Sequence, residues 1–274
     1  MEFSKDNAPK RVASSEVNSE SMRIIGGVNT LVDALKNDVT PDSIETGKKV
    51  TSVRHEDDHS ISVNTYDETD GTEETYHADV IILTVPPRLL IENINFMPDL
   101  PEPLQVDLLN KPTWMGAQAK IVVTYETPFW KEQGLSGNVI SWAGPLREIY
   151  DASTTSGDSA LSGFFSLPPA VRSSHSNEVI KDEVIKQLTR LFGSEAKYYK
   201  NIHYKDWSKD KHTVTEGDKL NIESFPTYGP PPAYRDNILF AGTEYDKNHG
   251  GHLEGALATA EKAYNDVKRI FNLT

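Results

Sequence analysis

Cysteine does not occur among the 274 residues, which excludes a disulfide framework, a thiolate metal cluster, a cysteine nucleophile and a cofactor joined through a thioether. Basic residues are scarce beside acidic ones, 28 against 41, and a formal charge of −13 opposes phosphate backbones and anionic lipid, which are bound by clustered Lys and Arg. Nucleic acid and membrane surfaces are therefore not expected partners. Long apolar runs are also lacking: the longest, Val80 to Leu83, is far below the roughly 20 residues that cross a bilayer. The start, MEFSKDNAPKR, carries no apolar targeting segment, so the expected location is the cytoplasm. No G-x-S-x-G occurs, and a nucleophile-elbow hydrolase is set aside with it.

What is present is a moderately polar globular composition, 37% hydrophobic and 25% charged, enough to build a core. Residues 1–21 mix Ser, Asn, Glu and Lys without apolar period and read as a flexible leader. Gly26-Gly27 then opens a short helical pattern on Val28, Leu31, Val32 and Leu35 that ends before Thr40-Pro41. Alternation follows on Val50, Val53, Ile61 and Val63, broken by the turn signals Asp57-Asp58 and Asp70-Gly71, which predicts a strand meander. Ala78 to Val85 is continuous, β-branched and stopped by Pro86-Pro87, the pattern of a central strand buried on both faces.

Beyond Pro87 the composition turns toward Pro and aromatics. Lys120–Tyr125 reads as a strand, and Glu178–Phe192 as a helix closed by Gly193. Trp114, Phe129, Trp130, Trp142 and Tyr150 could line a pocket or fill a core. Asn237–Gly242 is a further buried strand, followed by a glycine loop and a helix from about Leu253 to Phe271, whose stripe Leu257, Ala260, Tyr264, Val267, Phe271 suits core packing. Strand, glycine loop and helix is a nucleotide-fold cadence, and the start of that helix offers unpaired amides to an electron-rich group. The spacing Gly250, His252, Gly255 matches a G-x-G-x-x-G turn with His in the middle place. His249, His252, Glu254 and Glu244 lack a metal-ligand spacing, and no metal is expected.

The string Ala241-Gly242-Thr243-Glu244, a short loop, then GGHLEGALATAEKA resembles the C-terminal signature of the flavin-containing amine oxidases, the monoamine and polyamine oxidase family. Other strings agree in order: Arg23–Gly27 with Leu31 and Leu35 resembles the family's glycine pair and helix, Val50–Val53 its cofactor-contacting strand, and Ala78–Pro87 its "ADxVIxTxPP" strand. Gly116–Lys120 with Tyr125 and Pro128-Phe129-Trp130 resembles the strand bearing the family's active-site lysine, and Lys205-Asp206-Trp207 the opening of its last substrate-domain loop. The resemblance spans residues 22–271.

The resemblance implies an α/β (mixed α+β) architecture: an incomplete FAD-binding domain, residues 22–88 and 232–274, with a substrate-type domain, 89–231, inserted. It implies non-covalent FAD, contacted by Gly26, Gly27, Val50, Gly242, Glu244, Gly251, Leu253 and Glu254, with Lys120 holding a water near flavin N5 and His252 in front of the ring. The implied reaction is oxidation of an amine C–N bond, with hydride passing from the α-carbon to the flavin and oxygen reoxidising it to give peroxide.

Two departures shape the expectation. No G-x-G-x-x-G unit precedes residue 22, so a second chain or a homo-oligomer would complete the sheet, whose apolar edges are otherwise exposed. The two aromatics with which the family flanks its amine are replaced, one by His252, while the other position falls within Val214–Asp218, which has no aromatic. The alternative is a flavin-less homologue that binds a ligand or runs a non-redox reaction such as cyclisation or isomerisation.

Overall fold

The structure, a computed structural model, describes residues 24–40, 43–154, 156–220 and 225–273. The expected leader, residues 1–21, lies outside these. In chain order the elements begin with α1 (Asn29–Asp38), β1 (Lys48–His55), β2 (Ile61–Asp67), β3 (Glu73–Ala78), β4 (Ile81–Leu83), α2 (Pro87–Asn93), β5 (Asn95–Met97) and α3 (Glu102–Leu109). They continue with β6 (Ala119–Tyr125), α4 (Phe129–Glu132), β7 (Val139–Ile140), β8 (Leu146–Asp151), β9 (Ser159–Phe165), α5 (Pro169–Ser173) and α6 (Asn177–Phe192). Last come β10 (Asn201–Asp206), β11 (Ile238–Phe240) and α7 (Leu253–Ile270). Mixed α/β with several sheets is what the sequence led us to expect.

Packing groups the described residues into two compact units, one drawn from residues 24–44 and 118–206, the other from residues 45–117 and 207–273. The α2–β5–α3 segment falls in the second unit. The reason is a shared core: Leu90, Ile94, Phe96, Leu100, Leu104 and Leu108 of the α2–β5–α3 segment pack with Val53, Ile61, Leu83 and Ile238.

In the first unit a five-stranded antiparallel sheet runs in the order β10-β6-β9-β8-β7. Strand β6 alternates strictly, burying Ala119, Ile121, Val123 and Tyr125. Against that face lies the stripe Ile180, Val184, Leu188, Phe192 of α6, spaced every four residues as a helix requires. Ser176 caps the helix by accepting from the Val179 amide, and Gly193 ends it at φ +98°, a conformation side-chain-bearing residues avoid. Phe129 and Trp130 join this core, whereas Trp142, between β7 and β8, and Tyr150, on β8, are exposed. Helix α1 forms where its period placed it, but it buries no residue.

In the second unit β3-β2-β1 form the expected meander, with β5 added parallel to β1. Strand β4 departs from expectation. It covers three residues, pairs only with β11 in a two-stranded parallel sheet, and leaves Ile82 43% exposed. A run that reads as buried on both faces needs strands and helices to bury it, and among the described residues only β11 stands beside it.

Helix α7 departs more sharply. Its buried positions are the small Gly255, Thr259 and Ala263, while Leu253, Leu257, Tyr264 and Phe271 are 62%, 55%, 61% and 46% exposed. The apolar stripe expected to pack into the core faces solvent, because it is the small-residue face that lies inward. No helix among the described residues is long and apolar enough to cross a membrane.

Candidate functional site

The site grows from the end of β11. Gly242, at φ +147°, turns the chain into a short 3-10 turn, Thr243–Tyr245. It is pinned from α7: the Gly242 amide donates to Thr259 Oγ1 at 2.9 Å, and that hydroxyl lies 3.1 Å from the Gly242 carbonyl. Thr243 Oγ1 then donates to the His252 carbonyl at 2.7 Å, closing the loop onto the start of α7. His252 is the N-cap of this 18-residue helix yet its side chain makes no capping bond. Among the described residues no side chain caps the first turn, whose amides carry the partial positive charge of the helix start.

Glu244 sits inside this turn. Its residue is 8% exposed, and apart from its own backbone amide its carboxyl meets no hydrogen-bond partner or counter-ion among the described residues. Burial raises its pKa, with the Asp218 charge adding to the effect. A carboxyl whose folded pKa is raised favours folding below its unfolded pKa and loses that contribution as pH rises through the folded one. Replacing Glu244 by Gln is expected to raise the urea midpoint at neutral pH, with the gain vanishing once the solution is acidic enough to protonate both states. Equal gains at both pH values would contradict this.

Beside the loop stand three rings. The Phe225 and His252 rings stack at 5.8 Å between centroids and 21° between planes. Trp114 meets Phe225 edge-on at 4.7 Å and His252 at 5.4 Å. Tyr228 buttresses them: its ring lies 6.0 Å from Phe225, its hydroxyl donates to the Pro112 carbonyl at 2.6 Å and accepts from the Trp114 amide at 3.2 Å. Burial, and then the charge of Glu244, pushes the Tyr228 phenol pKa up, so it stays a donor. Val214–Asp218 carries no aromatic, and the ring that stacks on His252 comes from Phe225, outside that segment. An aromatic directly ahead of Pro226 was the available signal.

The glycines have a specific use. A Cβ at Gly251, which stands at φ +76°, would meet Phe225 Cζ at 3.0 Å and Trp114 Cε3 at 3.2 Å, and one at Gly250 would meet Tyr228 at 2.6 Å. At Gly255 it would meet the His249 carbonyl oxygen at 2.4 Å. These glycines admit the chain's own rings and backbone. Gly251→Ala is expected to cost about 1–3 kcal/mol, from left-handed strain and crowding together, and to displace Phe225. Urea unfolding and the near-UV circular dichroism of the aromatics check it; an unchanged spectrum and midpoint would refute it.

The structure brings Gly242, Glu244, Gly251, His252, Leu253 and Glu254 into one loop and helix start. Val50 lies in β1 next to a bulge between Val50 and Ser52, and β5 pairs with Ser52–Arg54, so among the described residues that edge of β1 carries no strand beside Val50. Gly26 and Gly27 belong to the other unit, in an exposed turn at φ +81° and +83°. Lys120 is there too, exposed on β6 opposite Lys205 and Phe164, with its Nζ 4.9 Å from the Phe164 ring centre. No group of three or more His, Asp or Glu among the described residues is arranged to hold a metal.

The family description "Flavin containing amine oxidoreductase" matches residues 2–267. The chain belongs to that family. Relatives include the flavin-containing amine oxidase of Danio rerio, 26% identical, and amine oxidase B of Sus scrofa, 24% identical, each alignment covering 94% of this chain and 49% of the relative. The chain thus spans about half the length of these relatives. Among solved structures, wild-type putrescine oxidase bound to putrescine shares the fold at a TM-score of 0.71 with 23% identity, over 89% of this chain and 53% of that one. Cyclohexylamine oxidase from Brevibacterium oxydans IH-35A does so at 0.71 with 19% identity, over 90% and 53%.

Proposed function

We propose that this chain takes part in FAD-dependent oxidation of an amine C–N bond, with the cofactor held non-covalently and a second chain completing the fold. The observation that carries this reading is the Glu244 loop together with the uncapped start of α7. A buried carboxyl without a side-chain partner suits a ligand hydroxyl, and uncapped helix-start amides suit an electron-rich ring edge.

When bound, FAD would supply the hydride acceptor for the amine's α-carbon. The chain's residues would do the rest. Glu244 would accept from a hydroxyl of the cofactor's polyol chain, with Gly242 leaving it room. The amides of Leu253 and Glu254 would face the ring edge on which negative charge develops. Val50 would offer its main chain to the adenine end, and Gly26-Gly27 would contact the cofactor as the resemblance implies. Lys120 would hold a water, and His252 with Phe225 would stand before the ring. Without a cysteine the chain has no thiol for a thioether bond to the cofactor.

The second chain is supported by the solvent-facing stripe of α7 and by exposed Ile82 in the two-stranded sheet. An 18-residue helix with Leu253, Leu257, Tyr264 and Phe271 uncovered presents an apolar face about 27 Å long, of the kind that marks an interaction surface. A flavin-less relative that binds a ligand without redox chemistry is the second reading. Its support is that Gly250, Gly251 and Gly255 are filled by the chain's own atoms.

The test is the absorption spectrum of the purified chain through the near-UV and visible range, before and after FAD is added and the excess removed. A retained flavin band supports the oxidase reading. A folded protein that stays colourless at every FAD concentration, alone and with the uncovered part of putrescine oxidase supplied as a separate polypeptide, overturns it.

A further inference from the structure

The spacing along the open side of α7 says what shape covers it. Leu257, Ala260, Tyr264, Val267 and Phe271 follow one another at intervals of three, four, three and four residues. Leu257, Tyr264 and Phe271 are 55%, 61% and 46% exposed, Ala260 is exposed and Val267 half-buried, while the helix turns Gly255, Thr259 and Ala263 inward. A mean interval of 3.5 residues keeps one seam of a helix against another helix along its length. The matching surface is a second helix, lying along about 22 Å of this one.

The charges beside the seam choose which helix, and in which direction. With Leu257, Tyr264 and Phe271 at the first place of a seven-residue repeat and Ala260 and Val267 at the fourth, the fifth place holds Glu261 and Lys268. Lys262 and Arg269, further round the helix, both pair with Asp266, at 2.7 and 2.9 Å. Glu261 has no ion-pair partner among the described residues, and Lys268 has only the face of Tyr264, with its Nζ 5.7 Å from the ring centre.

In two antiparallel copies of such a helix the fifth places face each other, so Glu261 of each copy meets the partner's Lys268, twice about one two-fold axis. In a parallel pair the fifth place faces the seventh, which here holds Ala263 and Ile270 and offers no charge. The antiparallel register that joins these charges also sets Tyr264 against the partner's Val267, and Ala260 against the partner's Phe271, a small side chain opposite a large one. Because α7 ends at Ile270, Leu253 and the first-turn amides then lie outside the seam.

We propose that the C-terminal turns of α7 bind the same turns of a second copy of this chain, antiparallel, through Leu257, Tyr264 and Phe271 and through the two Glu261–Lys268 pairs. This names the partner of the second-chain reading above and rests on it; no redox step is involved.

The experiment is analytical ultracentrifugation of the full chain from micromolar to submillimolar concentration, at physiological salt, which screens the repulsion between two chains of formal charge −13. A particle of twice the chain mass is expected to grow in with concentration. Leu257→Glu and Tyr264→Glu alter side chains already in solvent, so far-UV circular dichroism should be unchanged while the dissociation constant rises about tenfold or more. Direction is read from charge. Glu261→Lys should weaken the dimer roughly tenfold, since two attractions become two repulsions, and adding Lys268→Glu should restore it to within about threefold. Leu31→Glu on α1, a helix that likewise buries no residue, should change nothing.

A monomer at every concentration, a dimer indifferent to Leu257→Glu and Tyr264→Glu, or a loss in Glu261→Lys that Lys268→Glu does not rescue would each overturn the proposal. A monomer whose α7 instead takes up the uncovered part of putrescine oxidase names a different occupant and overturns it as well. Should one glutamate variant not fold, the wild-type mass and the charge exchange still decide. Failure here is distinct from failure of the oxidase reading: a dimer that takes up no flavin leaves the seam standing without the oxidase, and a monomer that retains flavin does the reverse.

Discussion

Replacing Arg172 by leucine is expected to destabilise the protein by about 3–5 kcal/mol, because it strands a carboxylate inside the first unit. Arg172 and Asp206 have side chains only 1% and 2% exposed, and they meet through two bonds, Nε to Oδ2 at 2.9 Å and Nη2 to Oδ1 at 2.7 Å. Arg172 also donates from Nη1 to the Leu167 carbonyl, so one guanidinium joins the loop before α5 to the end of β10. The Tyr204 hydroxyl adds a bond to Asp206 at 3.2 Å, and its pKa is pushed up to about 12 by burial and then by that carboxylate. With the guanidinium gone, the buried Asp206 carboxylate loses both bonds to its counter-ion. The check is urea unfolding at neutral pH, reading the midpoint at constant slope. The double variant Arg172→Leu with Asp206→Leu should recover much of the loss, since two apolar residues need no desolvation of charge. A single variant as stable as the wild type would mean that water reaches this pair.

Local order was legible where the physics is local. Helix α6 is found within a residue or two because a four-residue apolar period, a serine cap and a terminal glycine all act over short stretches of chain. The β1–β2–β3 meander was found because turn residues such as Asp58, whose carboxylate accepts from Ser60, bracket alternating strands. What failed were statements about what an element packs against. The apolar run at β4 and the stripe on α7 were read as core because apolar residues are most often buried. Nothing in a residue pattern states whether the covering surface lies in the same stretch of chain.

The site was half legible for a similar reason. The loop from Gly242 to Glu254 is contiguous, and its strand, turn and helix signals place Glu244 and His252 together. Phe225 was missed because ring stacking against His252 is a tertiary contact with no spacing rule. The glycines were seen, but that a Cβ at Gly251 would meet Phe225 and Trp114 is revealed only by the folded chain. Lys120 shows the converse case, a residue named by resemblance whose local environment is an ordinary exposed strand position beside Phe164.

Asp218→Asn is expected to cost the second unit about 3 kcal/mol or more and to loosen the aromatic triad at the same time. Asp218 is fully buried and takes four donors: Arg88 Nη1 at 2.8 Å and the Thr113 amide at 3.0 Å on one oxygen, the Thr215 amide at 2.9 Å and hydroxyl at 2.8 Å on the other. Asparagine keeps the shape but turns one acceptor into a donor, so an NH2 group must face either the Thr215 pair or the Arg88 and Thr113 pair. No rotation relieves this, since donors approach from both sides. Thr113 directly precedes Trp114, whose amide is tied to Tyr228 and through it to Pro112. Weakening the Thr113 bond therefore frees the backbone that aims the indole at Phe225 and His252. The expected signature is a lowered urea midpoint together with altered near-UV circular dichroism. Arg88→Met, by contrast, should cost less. Arg88 is 21% exposed, and its loss leaves Asp218 with three donors, so the charge keeps most of its solvation. The order of the two losses is the decisive reading: if Arg88→Met destabilises more than Asp218→Asn, the ion pair rather than the donor set holds this corner, and the link from Asp218 to the rings fails.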